Sequence, residues 1–246
     1  MNTFSLAGKT ALVTGANRGI GAALVEALAA AGVKKIYAAA RNITSLEPLT
    51  QRYPDQVEPI LLDVTNPAHI AAVAEQIPAL DILINNAGIA SGCNLTSANT
   101  LETTRREMET NFFAPLQLTP ALLPQLRQSE QAAIVNVASI ISFSNFPTVA
   151  PYSISKAAMH SYTQGLRAEL AADGILVIGV YPGPVDTGMT AEWDMAKTSP
   201  AQIASNILQA LGKGETYVFP DDFSTQMYAQ FRQDPLAFEK TLAGMV

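Results

Sequence analysis

Six short runs of this chain are almost continuously apolar, and longer amphipathic stretches separate them. They are Thr10 to Thr14, Lys35 to Ala39, Glu58 to Leu62, Asp81 to Asn85, Ala133 to Val137 and Leu176 to Val180. A strand that is apolar on both faces must be covered on both faces, and strands alternating with helices meet that condition in a parallel sheet. Tyr217 to Phe219 reads as a weaker seventh strand. Helices are expected at Gly19 to Ala31, Pro67 to Gln76, Thr100 to Leu118, Pro151 to Leu170 and Pro200 to Leu211, several of them opening with Pro or with Ser or Thr.

The length of 246 residues suits one such domain, and no repeat, low-complexity tract or linker divides it. A hydrophobic share of 48% with 15% charged residues is too apolar for a disordered chain. The formal charge of −6 gives a field that repels phosphate backbones, so nucleic-acid partners are not expected. Cys93 is the sole cysteine; it excludes an internal disulfide and, with no paired Cys/His spacing, a zinc site, so no metal is expected. A reducing cytoplasm is the expected location. The first residues do not read as a signal peptide, and no apolar window approaches the ~20 residues a membrane helix needs. His69 and His160 fall within helices away from any second ligand type and read as packing or surface residues.

The first apolar run leads directly into Thr14-Gly15-Ala16-Asn17-Arg18-Gly19-Ile20-Gly21, and a helical, alanine-rich stretch follows. At a strand-to-helix turn Gly15 permits the sharp bend, Gly19 lets the backbone approach a pyrophosphate and Gly21 allows close packing of helix on sheet. The helix N-terminus then offers free amides to the anion. Asn17, Arg18 and Ile20 belong to the same candidate dinucleotide-binding turn. An NAD site usually has an acid about 20 residues further on, but here the chain reads Ala38-Ala39-Ala40-Arg41-Asn42. Arg41 at the end of the second run, with Arg18 in the turn, could hold a 2′-phosphate, which favours NADP(H) over NAD(H). Lys34 and Lys35 precede the strand and read as solvated charges at its opposite end.

Tyr152 and Lys156 stand four apart in a helical stretch and project from one face. An ammonium beside a phenol favours the phenolate and lowers its pKa toward working pH. Ser139 follows the fifth apolar run, which places its hydroxyl at the carboxyl end of a strand. Thr14-Gly15-x-x-x-Gly19-x-Gly21, Asn85-Asn86-Ala87-Gly88, Asn111, Ser139, Tyr152-x-x-x-Lys156 and Pro182-Gly183-Pro184-Val185-Asp186-Thr187 together resemble the short-chain dehydrogenase/reductase family, in order and spacing, over about residues 7 to 190.

The resemblance implies an α/β single-domain, Rossmann-like three-layer sandwich with a seven-stranded parallel sheet. It also implies hydride transfer between a nicotinamide and a carbonyl or alcohol carbon. By the same resemblance Tyr152 would protonate the carbonyl oxygen, Ser139 would hydrogen-bond it, Lys156 would hold the nicotinamide ribose, and Asn111 would support a water-borne proton relay. Asp63 and Val64 would meet the adenine, Asn86, Ala87 and Gly88 would line the adenosine side, and Pro182, Val185 and Thr187 would pass the carboxamide. Asn85 reads as scaffold in preference to cofactor contact.

Two departures from the family stand out. Only about residues 189 to 199 occupy the place of a longer helical lid, which points to an open pocket for bulky or varied carbonyls. Phe143 to Phe146 are candidate apolar walls, and Trp193 is either a wall or the anchor of its loop. The loops Ser91 to Ala98 and Phe143 to Pro147 contain no Arg or Lys, which argues against a strongly anionic substrate. The tail, residues 220 to 246, lacks the glycine-rich ending of tetrameric members, so a homodimer through the helices at Thr100 to Leu118 and Pro151 to Leu170 is expected and a tetramer is not. The leading expectation is an NADPH-dependent carbonyl reductase or alcohol dehydrogenase; the alternative is an NADP(H) sensor without turnover. Gly15, Gly19, Gly21 and Lys156 argue against a halohydrin-type elimination.

Overall fold

In the computed structural model, which describes residues 4–244, the apolar runs pair side by side. The strands are β1 (Thr10–Thr14), β2 (Lys35–Ala40), β3 (Val57–Leu61), β4 (Ile82–Asn85), β5 (Ala133–Val137), β6 (Leu176–Val180) and β7 (Tyr217–Val218). They form one parallel sheet in the order β3-β2-β1-β4-β5-β6-β7. The helices are α1 (Gly19–Ala30), α2 (Glu47–Arg52), α3 (Pro67–Gln76), α4 (Thr100–Met108), α5 (Ala114–Gln128), α6 (Ala150–Glu169), α7 (Pro200–Lys213), α8 (Asp222–Gln233) and α9 (Pro235–Ala243).

Successive side chains of a strand leave on opposite faces, and the two faces build two cores. Ala11 and Val13 of β1, Ile82 and Ile84 of β4 and Ile178 and Val180 of β6 pack with Leu24 and Leu28 of α1 and Ile203 and Ile207 of α7. Leu12, Leu83, Ile134 and Val177, from the same strands and β5, pack instead with Ile70 and Val73 of α3 and Leu118 and Leu122 of α5. Each fully buried Leu or Ile contributes about 1.5–3 kcal/mol, so neither helix layer can leave the sheet cheaply. The result is the Rossmann-like three-layer sandwich that the sequence implies.

The differences from the expected elements are local and have physical causes. Pro59 sits inside β3, which an edge strand tolerates. The expected helix from Thr100 to Leu118 is interrupted by a π-helical turn at Glu109–Phe113 and then continues as α5 to Gln128, through Pro120 and Pro124. Both prolines are exposed, so the carbonyls they leave unpaired face water. The tail, for which no helix is expected from the sequence, contains α8 and α9. Their caps were legible: Asp221 accepts from the Ser224 amide at 2.7 Å, and Asp234, followed by Pro235, accepts from the Leu236 and Ala237 amides, each at 3.0 Å.

The strand order reverses direction between β1 and β4, and in open parallel sheets this opens a crevice at the carboxyl ends of the strands. Lys35 lies at the opposite end of β2, paired with Glu58.

Candidate active site

A cavity of about 760 Å³ runs along the carboxyl ends of the strands. Six of the segments singled out from the sequence leave the sheet at that end: Gly15 to Gly21 after β1, Arg41 after β2, Asp63 and Val64 after β3, Asn86 to Gly88 after β4, Ser139 after β5 and Pro182 to Thr187 after β6. Of the candidate site residues, all but Asn111 line the cavity.

The turn after β1 is shaped by two glycines with positive φ, Gly15 at 63° and Gly19 at 55°. Gly21 is held by space instead: a Cβ there would lie 2.1 Å from the Gly15 carbonyl oxygen and 2.6 Å from Asn86 Nδ2. No side chain caps α1 and no acid stands in its first turn, so its leading amides face the cavity side unneutralised. Thr14 Oγ1 donates to the Ile84 carbonyl and accepts from the Asn86 and Ala87 amides at 2.9 and 3.0 Å, while Asn86 Nδ2 donates to the Thr14 carbonyl at 2.9 Å. These bonds lock β4 to the turn.

Arg18 and Arg41 are exposed at the cavity edge and form no ion pair among the described residues. Burial pushes the Asp63 carboxyl up, but bonds from the Thr65 amide and hydroxyl, with Arg41 and His69 nearby, outweigh it and hold the group below its ordinary range. A backbone cradle that a single Cβ would fill, an uncapped helix start and two free guanidinium groups fit a nicotinamide dinucleotide. The residues that would hold it are those of the turn, Arg41, Asp63, Val64, Asn86 to Gly88 and the Pro182 to Thr187 segment.

At the other end of the cavity α6 presents Tyr152 and Lys156. Lys156 is buried, donates to the Val137 carbonyl at 2.8 Å and lies 5.5 Å from the centre of the Tyr152 ring. Ser139, at the start of a short 3₁₀ turn, donates to the Pro182 carbonyl at 3.4 Å and stands beside Tyr152. Asn111 is fully buried in the π turn. Its Oδ1 accepts from the Ile89 amide at 2.9 Å, and its Nδ2 donates to the Ile89 carbonyl at 2.8 Å and to Ser155 Oγ at 2.9 Å. Ser155, which sequence reasoning passed over, in turn donates to the Tyr152 carbonyl at 2.8 Å and so ties α6 to Asn111. A Cβ on Gly88 would meet Asn111 Oδ1 at 3.3 Å and Lys156 Nζ at 3.6 Å, so these two polar groups flank one backbone gap. Single-turn π-bulges are frequent at functional sites.

One electrostatic expectation is corrected. Burial pushes the Tyr152 phenol above its ordinary range, with the Glu107 carboxyl adding to the rise and the Ser139 hydroxyl opposing it. The Lys156 ammonium does not reverse this: burial pulls it down to about 8. Removing both groups from water disfavours the charged form of each. Glu107 was absent from the sequence reading. It is fully buried on α4, neither oxygen is in hydrogen-bond geometry, and burial holds its carboxyl above the usual range against the pull of Ser91 and Arg106.

The walls also differ from expectation. Phe146 and Trp193 line the cavity, but Phe143 turns away, its ring 4.7 Å from His160 and 4.9 Å from both Tyr181 and Tyr228. The loop from Ser91 to Ala98 does not reach the cavity, and Arg106, from α4, does, so the absence of Arg and Lys from the loops did not exclude a cation there. Phe223, Met227, Phe238 and Leu242 of the tail complete the wall. Asn85 is a strand tie, as expected: its Nδ2 donates to Asn136 Oδ1 at 2.8 Å and to Thr119 Oγ1 at 3.2 Å. Cys93 is buried outside the lining, and His69 and His160 serve in packing, with Nδ1 bonded to the Asp63 amide and to the Tyr181 hydroxyl respectively.

Residues 9–198 match the family model described as short chain dehydrogenase. Among curated relatives, an uncharacterized oxidoreductase of Staphylococcus saprophyticus is 35% identical, covering 82% of this chain and 91% of the relative. A short chain dehydrogenase from Burkholderia cenocepacia, solved in complex with NADP, superposes with a TM-score of 0.91 at 36% identity, covering 97% of this chain and 99% of that one. An NADPH-bound carbonyl reductase from chicken fatty liver gives 0.80 at 27% identity, covering 87% and 97%. With this cradle, this sheet and these matches, the chain belongs to the short-chain dehydrogenase/reductase family of oxidoreductases.

Proposed function

We propose that this oxidoreductase is an NADPH-dependent carbonyl reductase, running as an alcohol dehydrogenase in reverse on a ketone, aldehyde or secondary alcohol. The observation that carries the reading is the meeting of Ser139, Tyr152 and Lys156 at one end of a cavity whose other end holds the glycine turn, Arg18 and Arg41. When bound, the nicotinamide supplies or accepts the hydride. Ser139 and Tyr152 hydrogen-bond the carbonyl oxygen and polarise it, a kind of stabilisation worth roughly 3–4 kcal/mol per donor. Tyr152, kept protonated by burial, gives its proton to the oxygen as negative charge develops there. Lys156 holds the nicotinamide ribose, and Asn111 fixes the backbone at Ile89 beside it. Arg41 and Arg18 bind the 2′-phosphate that separates NADPH from NADH.

The test is cofactor oxidation across aldehydes, ketones, diketones and quinones, with NADPH and NADH in parallel. Tyr152→Phe is expected to lose at least about 10²- to 10⁴-fold in turnover. Arg41→Ala is expected to lose about 10- to 100-fold in kcat/KM for NADPH and little for NADH, the loss of a hydrogen bond to a charged group. Tight NADPH binding with no carbonyl reduced would support the sensor instead, and a preference for NADH would overturn the role of Arg41.

A homodimer is the proposed assembly. Leu101, Phe113, Leu116 and Ile154 of α4, the π turn, α5 and α6 are exposed apolar side chains on the surface through which it would form.

A further inference from the structure

The charged side chains that line the cavity all precede the turn after β6 in the chain. Arg18, Arg41 and Asp63 follow β1 to β3, Arg106 and Glu109 come from α4 and the π turn and Lys156 from α6, whereas the lining residues from Gly183 onward include no Asp, Glu, Lys, Arg or His. Beyond Tyr152 the walls are Phe146, Trp193, Phe223, Met227, Phe238 and Leu242. Four of these six come from α8 and α9.

The helical hairpin belongs to neither of the two cores of the sheet. Met227, Phe238 and Leu242 form a separate buried cluster with Ile140, the residue next to Ser139. The hairpin is pinned at its root, where Asp221 Oδ2 accepts from the Gly183 amide at 2.9 Å while Oδ1 caps α8. A Cβ on Gly183 would collide with Phe223 at 2.6 Å and with Asp221 at 2.8 Å, so the contact between hairpin and turn is close. Two polar groups on this side are already committed, Thr190 Oγ1 to the Val185 carbonyl at 2.5 Å and the Asp221 carboxylate to the Gly183 and Ser224 amides. A polar or charged substituent entering here would give up its water without replacement, at a cost that an apolar one escapes. Met189 and Met195 stand exposed at the rim while lining the cavity.

We propose that the α8–α9 hairpin forms a subsite for the uncharged, long or bulky apolar substituent of the substrate, so that the carbonyls taken are medium-chain alkyl or aryl ketones and aldehydes and not sugars or oxo acids. This rests on the reductase reading above and adds the substrate class to it.

The test is kcat/KM with NADPH along the 2-alkanones from 2-butanone to 2-undecanone, paired with the thermal shift each ketone gives the NADPH complex of Tyr152→Phe. Expected is a rise of about fourfold per methylene until the subsite fills, a parallel rise in thermal shift, and a fall of at least tenfold in the 2-decanone to 2-butanone ratio for Met227→Trp. A flat series in both measurements, or better turnover of a hydroxylated or carboxylated ketone of equal length, overturns the subsite. Protection that grows with chain length in a protein that reduces none of the ketones would sustain the subsite and overturn the reductase. No turnover and no protection would overturn both.

Discussion

Lys156 shows what burial does to a single ionisable group. Its pKa falls from 10.5 to about 8 because the folded chain removes the ammonium from water. Between those values the unfolded chain binds the proton and the folded chain does not, so this group makes folding more favourable as pH rises through that window; below about 8 its contribution is constant. Tyr152 acts in the opposite sense, but only above its ordinary value of 10, where the unfolded chain ionises first. The activity consequence is sharper. If Lys156 must be charged to hold the ribose, kcat/KM for NADPH in reduction is flat up to about pH 8 and falls above it. The alcohol-oxidising direction, which needs the Tyr152 phenolate as well as the Lys156 ammonium, climbs to about pH 8 and levels above it, where the gain of phenolate is offset by the loss of ammonium. A reduction profile without a falling limb between pH 8 and 10 would remove Lys156 from that role. At this scale the sequence named Tyr152, Lys156, Ser139 and Asn111, but not Glu107 or Ser155, because a buried carboxyl and a helical serine carry no pattern until their neighbours are known.

The strand-to-helix turn is the element on which the cofactor end depends, and its three glycines are not equivalent. Gly15 and Gly19 are required by backbone angle, Gly21 by the carbonyl of Gly15 2.1 Å from any added Cβ. Gly21→Ala must therefore separate α1 from the turn, and overpacking of this kind costs about 1–3 kcal/mol. The expected result is a lowered Tm with weakened NADPH binding. Gly92→Ala, where a Cβ would meet nothing within 4 Å, is expected to change Tm by no more than about 0.5 kcal/mol allows. Equal effects for the two variants would show that the close approach is not what holds the turn. The helix pattern predicted α1, α3, α6 and α7 to within a few residues, since each has an apolar face and α3, α6 and α7 have Pro in the first turn. The π turn escaped, because one extra residue in a helix leaves the composition unchanged and shifts only the register. The cavity wall on α8 and α9 escaped because an amphipathic tail does not reveal what its apolar face covers.

The molecule as a whole leaves one surface unaccounted for. Ile154, Ala157, Ser161 and Gly165 are exposed along α6 near Phe113 and Leu116, and small residues on a helix allow another helix to approach closely. Light scattering on the eluting protein is expected to give twice the 26.1 kDa chain mass, and Ser161→Arg, which puts a long charged side chain at that approach, is expected to return it to the mass of one chain. A wild-type mass of one or four chains would sink the dimer. The sequence alone determined the sheet, since runs apolar on both faces have no stable arrangement except between helix layers, and it determined the phosphate cradle, since a glycine-rich bend between strand and helix is a local matter of backbone sterics. Tertiary structure decided the rest. Which hydroxyl faces which amine, how far burial moves their protons and which distant helices close the substrate end all depend on contacts between segments far apart in the chain. Such contacts leave no periodic mark in the sequence, because they are set by packing across the sheet and not by neighbours along it.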